Sequence, residues 1–166
     1  MKRNLVLTAV FALFALAVGA SAQKTTDFSG NWTLDVAKSS PAETMIESQT
    51  LKVTQSATDI KVERTNKMKP MPDAGAGAPG GGGGAGRGPA GPATYGIGTP
   101  IKTTRQTPNG DVEISMGAKI EGNKLTLSTT TPQGSRDETW TLNADGTLTI
   151  NSQGRGGAVT RTYKKG

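Results

Sequence analysis

The stretch DVEISMGAKIEGNKLTLSTTTPQGSRDETWTLNADGTLTINSQGRGGAVTRTYK, Asp111 to Lys164, decides the fold. Val112, Ile114 and Met116 alternate with Glu113, Ser115 and Gly117. Leu125 and Leu127 alternate with Thr126 and Ser128, and Trp140 and Leu142 with Thr139 and Thr141. Leu148 and Ile150, then Val159 and Tyr163, repeat the scheme against Thr147, Thr149, Thr160 and Thr162. Apolar residues at every second position, with Thr or a charge between them, describe strands with one dry and one wet face. Gly122-Asn123, Pro132-Gln133-Gly134, Asp145-Gly146 and the glycines around Arg155 separate the runs and supply the turns. The stretch is an antiparallel meander.

Upstream, Trp32, Leu34 and Val36 share one face of a first strand opened by Gly30, and Ala37 to Glu43 reads as a loop in which Pro41 opens a helical turn. Leu51 and Val53 mark a second strand from Thr50, and Ile60 and Val62 a third, paired as a hairpin. Tyr95, Ile97 and Ile101 share a parity and mark a fourth strand, interrupted by Gly96, Gly98 and Pro100. Gly117 marks a bulge or a barrel corner. No window shows helical periodicity beyond a turn or two. The expected fold is all-β: an antiparallel up-and-down barrel of eight or nine strands, with a two-sheet β-sandwich as the alternative. Closure is favoured because an open sheet would expose two Thr-rich edges.

The ends and the middle of the chain carry different signals. Met1-Lys2-Arg3, the apolar run Leu5 to Val18 and Ala20-Ser21-Ala22 form a secretory leader, residues 1–22, cleaved after Ala22. Residues 23–166 are then one β domain, exported to the periplasm or beyond. Residues 74–92 interrupt it with ten Gly, five Ala, three Pro and one Arg. Such a composition cannot offset its ordering entropy, and disorder is expected. The run Gly80 to Gly84 lacks the Lys-Ser/Thr and the strand–helix context of a phosphate loop.

Composition narrows the chemistry. The chain has no His and no Cys, which removes the usual transition-metal ligands, the Cys nucleophile and the commonest general base. No metal and no cofactor is expected, and the expected role is not enzymatic. Asp137 and Glu138 are adjacent and face opposite sides of a strand, so they do not form an acid/base couple. Without Lys2 and Arg3 the chain keeps 17 basic residues against 13 acidic, a net charge of +4 spread along its length. That is no nucleic-acid footprint. The expected partner is a small apolar or amphipathic molecule held by a monomer. A filled barrel with a structural or envelope role is the alternative.

Phe28-Ser29-Gly30-Asn31-Trp32 resembles the Gly-x-Trp opening of lipocalins and related calycins. The whole of residues 23–166, from FSGNWTLDVAKS to TRTYKK, is similar to small secreted bacterial lipocalin-like proteins. The resemblance implies that Trp32 plugs one end of a barrel and that Arg161 packs across it as a cation–π partner. The Gly-rich insertion and the missing disulfide depart from the lipocalin pattern. The candidate ligand-binding residues are Trp140, Glu138, Arg136 and Tyr95. Trp140 either lines a cavity or fills the core. Glu138 and Arg136 share its parity, so each sits at the rim, pairs, or meets a polar head group. An enzymatic site would need Glu138, Arg136 and a Tyr to converge in a deep pocket.

Overall fold

A computed structural model describes residues 25–40, 46–69, 91–108, 110–154 and 156–166. The leader lies outside this set, as do Pro41 and all of residues 74–92 except Gly91 and Pro92. The described residues form ten strands and no helix: β1 (Gly30–Ser40), β2 (Ile46–Gln55), β3 (Asp59–Met68), β4 (Ala93–Ile97), β5 (Ile101–Thr107), β6 (Gly110–Glu121), β7 (Lys124–Thr131), β8 (Gly134–Leu142), β9 (Leu148–Gly154) and β10 (Gly157–Lys165).

The turn chemistry read from the sequence places the hairpins correctly. Gly122 (φ +59°) and Gly146 (φ +79°) take the positive φ that tight connections require. Asp145 fixes its turn by accepting from the Thr147 N–H at 2.9 Å and the Thr147 hydroxyl at 2.6 Å. Strands from β6 to β10 follow one another as a meander, and β10 returns beside β1 with Trp32 opposite Lys165 and Leu34 opposite Tyr163. Then β1 pairs β2, β2 pairs β3 and β3 pairs β4.

The last junction of the ring departs from the expected all-antiparallel pattern. One edge of β6 carries two neighbours in succession. Residues 110–116 pair antiparallel with β5, and Gly117 and Ala118 pair in parallel with Gly96 and Ile97 of β4. Nine strands therefore close the ring over a two-rung parallel seam, and β5 extends along β6 outside it. The anticipated fourth strand across 95–101 is thus two strands. Gly98 turns the chain between them at φ +76°, and a Cβ on Gly96 would collide with the Thr99 carbonyl oxygen. Gly117 is not a bulge against β7, since β6 and β7 stay in unbroken register through it; it marks the point where the other edge of β6 passes from β5 to β4. Pro100 packs above it, 3.4 Å from where a Cβ would stand, at the handover from β5 to β4.

Two other boundaries move. The loop expected from Ala37 is strand as far as Ser40, with a register shift between Asp35 and Ser40. Ser39 is buried there because its hydroxyl donates to the Asp35 carbonyl at 2.9 Å. The β2–β3 hairpin is longer than its apolar pattern, pairing as far as Ile46 with Met68.

The core is the inner face of the ring. Trp32, Trp140, Tyr163, Phe28, Leu51, Ile60, Leu125 and Leu148 are its largest fully buried side chains. Residues before β1 close one end: the Phe28 N–H donates to Gln55 Oε1 at 3.0 Å, Gln55 Nε2 donates to the Thr26 carbonyl at 3.0 Å, and Thr26 Oγ1 donates to the Gly122 carbonyl at 2.6 Å. Trp32 lies inside this base and donates from Nε1 to the Phe28 carbonyl at 3.0 Å.

Candidate functional site

Above the packed base the ring opens into a cavity of about 1230 Å³, towards the β7–β8 and β9–β10 turns. Its wall includes Tyr95, Met116, Leu127, Thr129, Arg136, Glu138 and Arg161, and one side is formed by residues 103–106 of β5. The strand alternation explains why these side chains converge. Thr129 is opposite Arg136, Leu127 opposite Glu138 and Leu125 opposite Trp140, so the inward positions of β7 and β8 climb from apolar to polar towards the mouth.

A polar bridge spans the interior at the inner end of the cavity. Arg64 of β3 reaches Glu138 of β8, Nη2 to Oε2 at 3.1 Å and to Oε1 at 3.5 Å, although these strands are not neighbours in the sheet. Trp140 Nε1 donates to Glu138 Oε2 at 3.2 Å. Burial, the largest single influence, works against the Arg64 charge, but Glu138 together with Tyr163 and Tyr95 outweighs it and holds the guanidinium pKa above its ordinary value. Side-chain exposures of 22% for Arg64 and 28% for Glu138 make this a largely desolvated pair, unlike the surface pairs Lys67–Glu47 and Lys102–Glu113. Beside it the Tyr163 hydroxyl donates to Gln49 Oε1, and Gln49 Nε2 donates to Asn66 Oδ1 at 2.6 Å. Burial pushes the Tyr95 phenol above its ordinary pKa, while a hydrogen bond with Thr129 pulls the other way.

Of the residues singled out from sequence, Glu138, Arg136 and Tyr95 line this one cavity. Glu138 is the paired carboxylate, and Arg136 is exposed at the rim. Trp140 is 0% exposed and is not part of the lining; it fills the core and holds Glu138 from below. The plug is half as expected. Trp32 seals the base, but the cation over its ring is Lys165, with Nζ 5.5 Å from the centroid. Arg161 is opposite Ile150 and lines the cavity instead. Four residues separate it from Lys165, about 13 Å along a strand, so parity was right and height was wrong. Arg64 and Gln49 were missed. Their signal was the parity of Ile60 and Val62, and of Leu51 and Val53, continued past the last apolar residue.

Glu138, Arg136 and Tyr95 thus share a pocket, yet they make a poor catalytic set. Glu138 already accepts from two donors, and a phenol with a raised pKa keeps its proton and is a poor acid. What the arrangement does well is enclose an apolar body and offer a few placed polar groups.

No family model matches the chain, and no curated protein matches it in sequence. Solved structures do match in shape. The REP1-NXSQ fatty acid transporter superposes with a TM-score of 0.52 at 14% identity, over 83% of this chain and 95% of that one. The wild-type fluorescent protein UnaG gives 0.51 at 14%, over 84% and 97%. Human cRBP IV gives 0.51 at 11%, over 85% and 99%. At such identities the likeness is one of fold: the chain is a closed β-barrel of the same general shape as these proteins.

Proposed function

We propose that this protein is a binding module that holds a small apolar or amphipathic molecule in its barrel. The open cavity of about 1230 Å³ carries the reading, since a barrel whose only task was structural would fill its interior. The ligand's apolar body lies against Met116, Leu127 and Ile114, and its polar end meets the Glu138, Tyr95 and Arg161 side chains. The same fold in a structure described as a fatty acid transporter supports this use of the cavity. Binding, not catalysis, is the role we assign.

The leader at 1–22 supports export, with the mature chain starting at Gln23 and working in the periplasm or outside the cell. N-terminal sequencing of the protein recovered from its native host tests that start. Native mass spectrometry of freshly purified protein, together with titration of the two tryptophans by lipids and apolar dyes, tests the binding role. Co-purifying small molecules or saturable quenching are expected. A single apo mass and no response to any apolar probe would refute it.

A further inference from the structure

The polarity at the inner end of the cavity says which head group it accepts, an inference that rests on the binding reading and refines it. Buried arginines in a barrel invite the idea of an acidic ligand. Here the order of the bridge is the reverse of what an acid needs. Glu138 is on the cavity wall, whereas Arg64 is not among the lining residues and its Nε is fully buried without a partner. A ligand reaching the bridge therefore meets the carboxylate first, with the guanidinium behind it.

The carboxylate is also fixed. Oε2 accepts from both Arg64 and Trp140, at 3.1 and 3.2 Å, so swinging it aside would strip a buried indole of its acceptor. Oε1 has only the 3.5 Å approach of Arg64 and retains capacity to accept. Of the two tyrosines near it, Tyr163 donates to Gln49, and Tyr95, on the cavity wall, shares a hydrogen bond with Thr129. What the inner end offers is an acceptor whose charge is already balanced from behind. A hydroxyl or amide N–H satisfies it. A carboxylate brings only acceptors to an acceptor and leaves Oε1 without a donor. An ammonium gains little, since Arg64 has neutralised the site and Arg136 and Arg161 stand on the same wall.

We propose that Glu138 is a selectivity residue that makes this cavity prefer amphipathic molecules with a neutral hydrogen-bond-donor head over the same molecules ending in a carboxylate. The test preloads the full-length protein with Nile red and displaces it with 1-dodecanol or with dodecanoate, in wild type, Glu138→Gln and the double variant Arg64→Met/Glu138→Gln. Part of any preference for the alcohol is plain desolvation, so the diagnostic quantity is the change in the ratio. Wild type should favour dodecanol, and Glu138→Gln, which uncovers the Arg64 charge at constant size, should move the ratio about tenfold towards dodecanoate. The double variant removes both charges, so it should lie between the two, and it serves if the single variant fails to fold. An unchanged ratio in both variants overturns the proposal. So does a wild-type preference for dodecanoate that Arg161→Gln abolishes, which would put the acid on Arg161. Dye that binds but yields to neither competitor also overturns it while leaving the binding role standing, whereas failure to bind dye, alcohol or acid at all removes the role itself.

Discussion

Replacing Trp32 by Ala tests the base of the barrel. Trp32 is 1% exposed, donates to the Phe28 carbonyl at 3.0 Å and lies beneath Lys165 Nζ at 5.5 Å. Truncating a large core aromatic costs about 3–5 kcal/mol in lost transfer energy and residual cavity. Within that sum, the lost indole donor accounts for about 1 kcal/mol and the cation–π contact for about 0.5–1 kcal/mol. The assay is urea unfolding followed by far-ultraviolet circular dichroism, read as a shift of midpoint at constant slope. A double-mutant cycle then locates the cation. Trp32→Ala with Lys165→Met should show a coupling of about 0.5–1 kcal/mol. Trp32→Ala with Arg161→Met should be additive to within about 0.5 kcal/mol. The reasoning fails if Trp32→Ala costs less than about 1 kcal/mol, or if the coupling belongs to Arg161.

Three further outcomes follow from the same geometry. Gly96→Ala should cost about 1–3 kcal/mol, because its Cβ meets the Thr99 carbonyl. Hydrogen exchange should then speed up at Gly117 and Ala118, and unchanged exchange there would mean the seam does not depend on that turn. Arg64→Met should cost about 3 kcal/mol by leaving Glu138 uncompensated, and adding Glu138→Leu should recover part of the loss; thermal melts showing the double variant no better than the single would contradict this. Finally, Asp35 and Asp145 have carboxyl pKa values held below their ordinary value of 3.8, the first chiefly by its hydrogen bond from Lys164, the second by that from Thr147. A lowered folded-state pKa adds stability above the ordinary value and withdraws it as pH falls through the folded one. Melting temperatures of Asp35→Asn and Asp145→Asn should therefore decline less steeply than wild type between pH 4 and lower values, and identical acid limbs would count against the assignment.

The sequence made visible whatever depends on alternation. Strands β6 to β10 all contain the apolar runs that announce them, because each buries one face and wets the other, although β7, β8 and β9 continue past those runs into Thr-rich and polar sequence towards the mouth. β5 was not seen because it buries neither: Lys102, Thr103, Thr104, Arg105 and Gln106 are all exposed, and even Ile101 is 36% exposed. The polar continuation of β2 and β3 escaped for the opposite reason. Gln49 and Arg64 occupy inward positions but look like surface residues, and only partners on distant strands make them tolerable inside. The Trp32 cation was misassigned because a β-strand pattern gives parity but not height. Height comes from the β1–β10 register, and only the pairing of Trp32 with Lys165 reveals it. The cavity itself leaves no trace in a linear pattern, since an inward Leu127 reads alike against a neighbour or against empty space.

A ring of strands has no intrinsic beginning. Here β1 and β10 are laced side by side, and the Gly166 N–H donates to the Asn31 carbonyl at 2.8 Å. A linker joining the end of β10 to the segment leading into β1 would let the ring be opened instead at the exposed Asp145-Gly146 turn. The permuted molecule would keep every rung of the cylinder, with β1–β10 now a local hairpin and β8–β9 its most sequence-distant pairing. Cavity and bridge would survive this change of order, because which pairing spans the whole chain is a matter of where the ring is opened, not of how it is built.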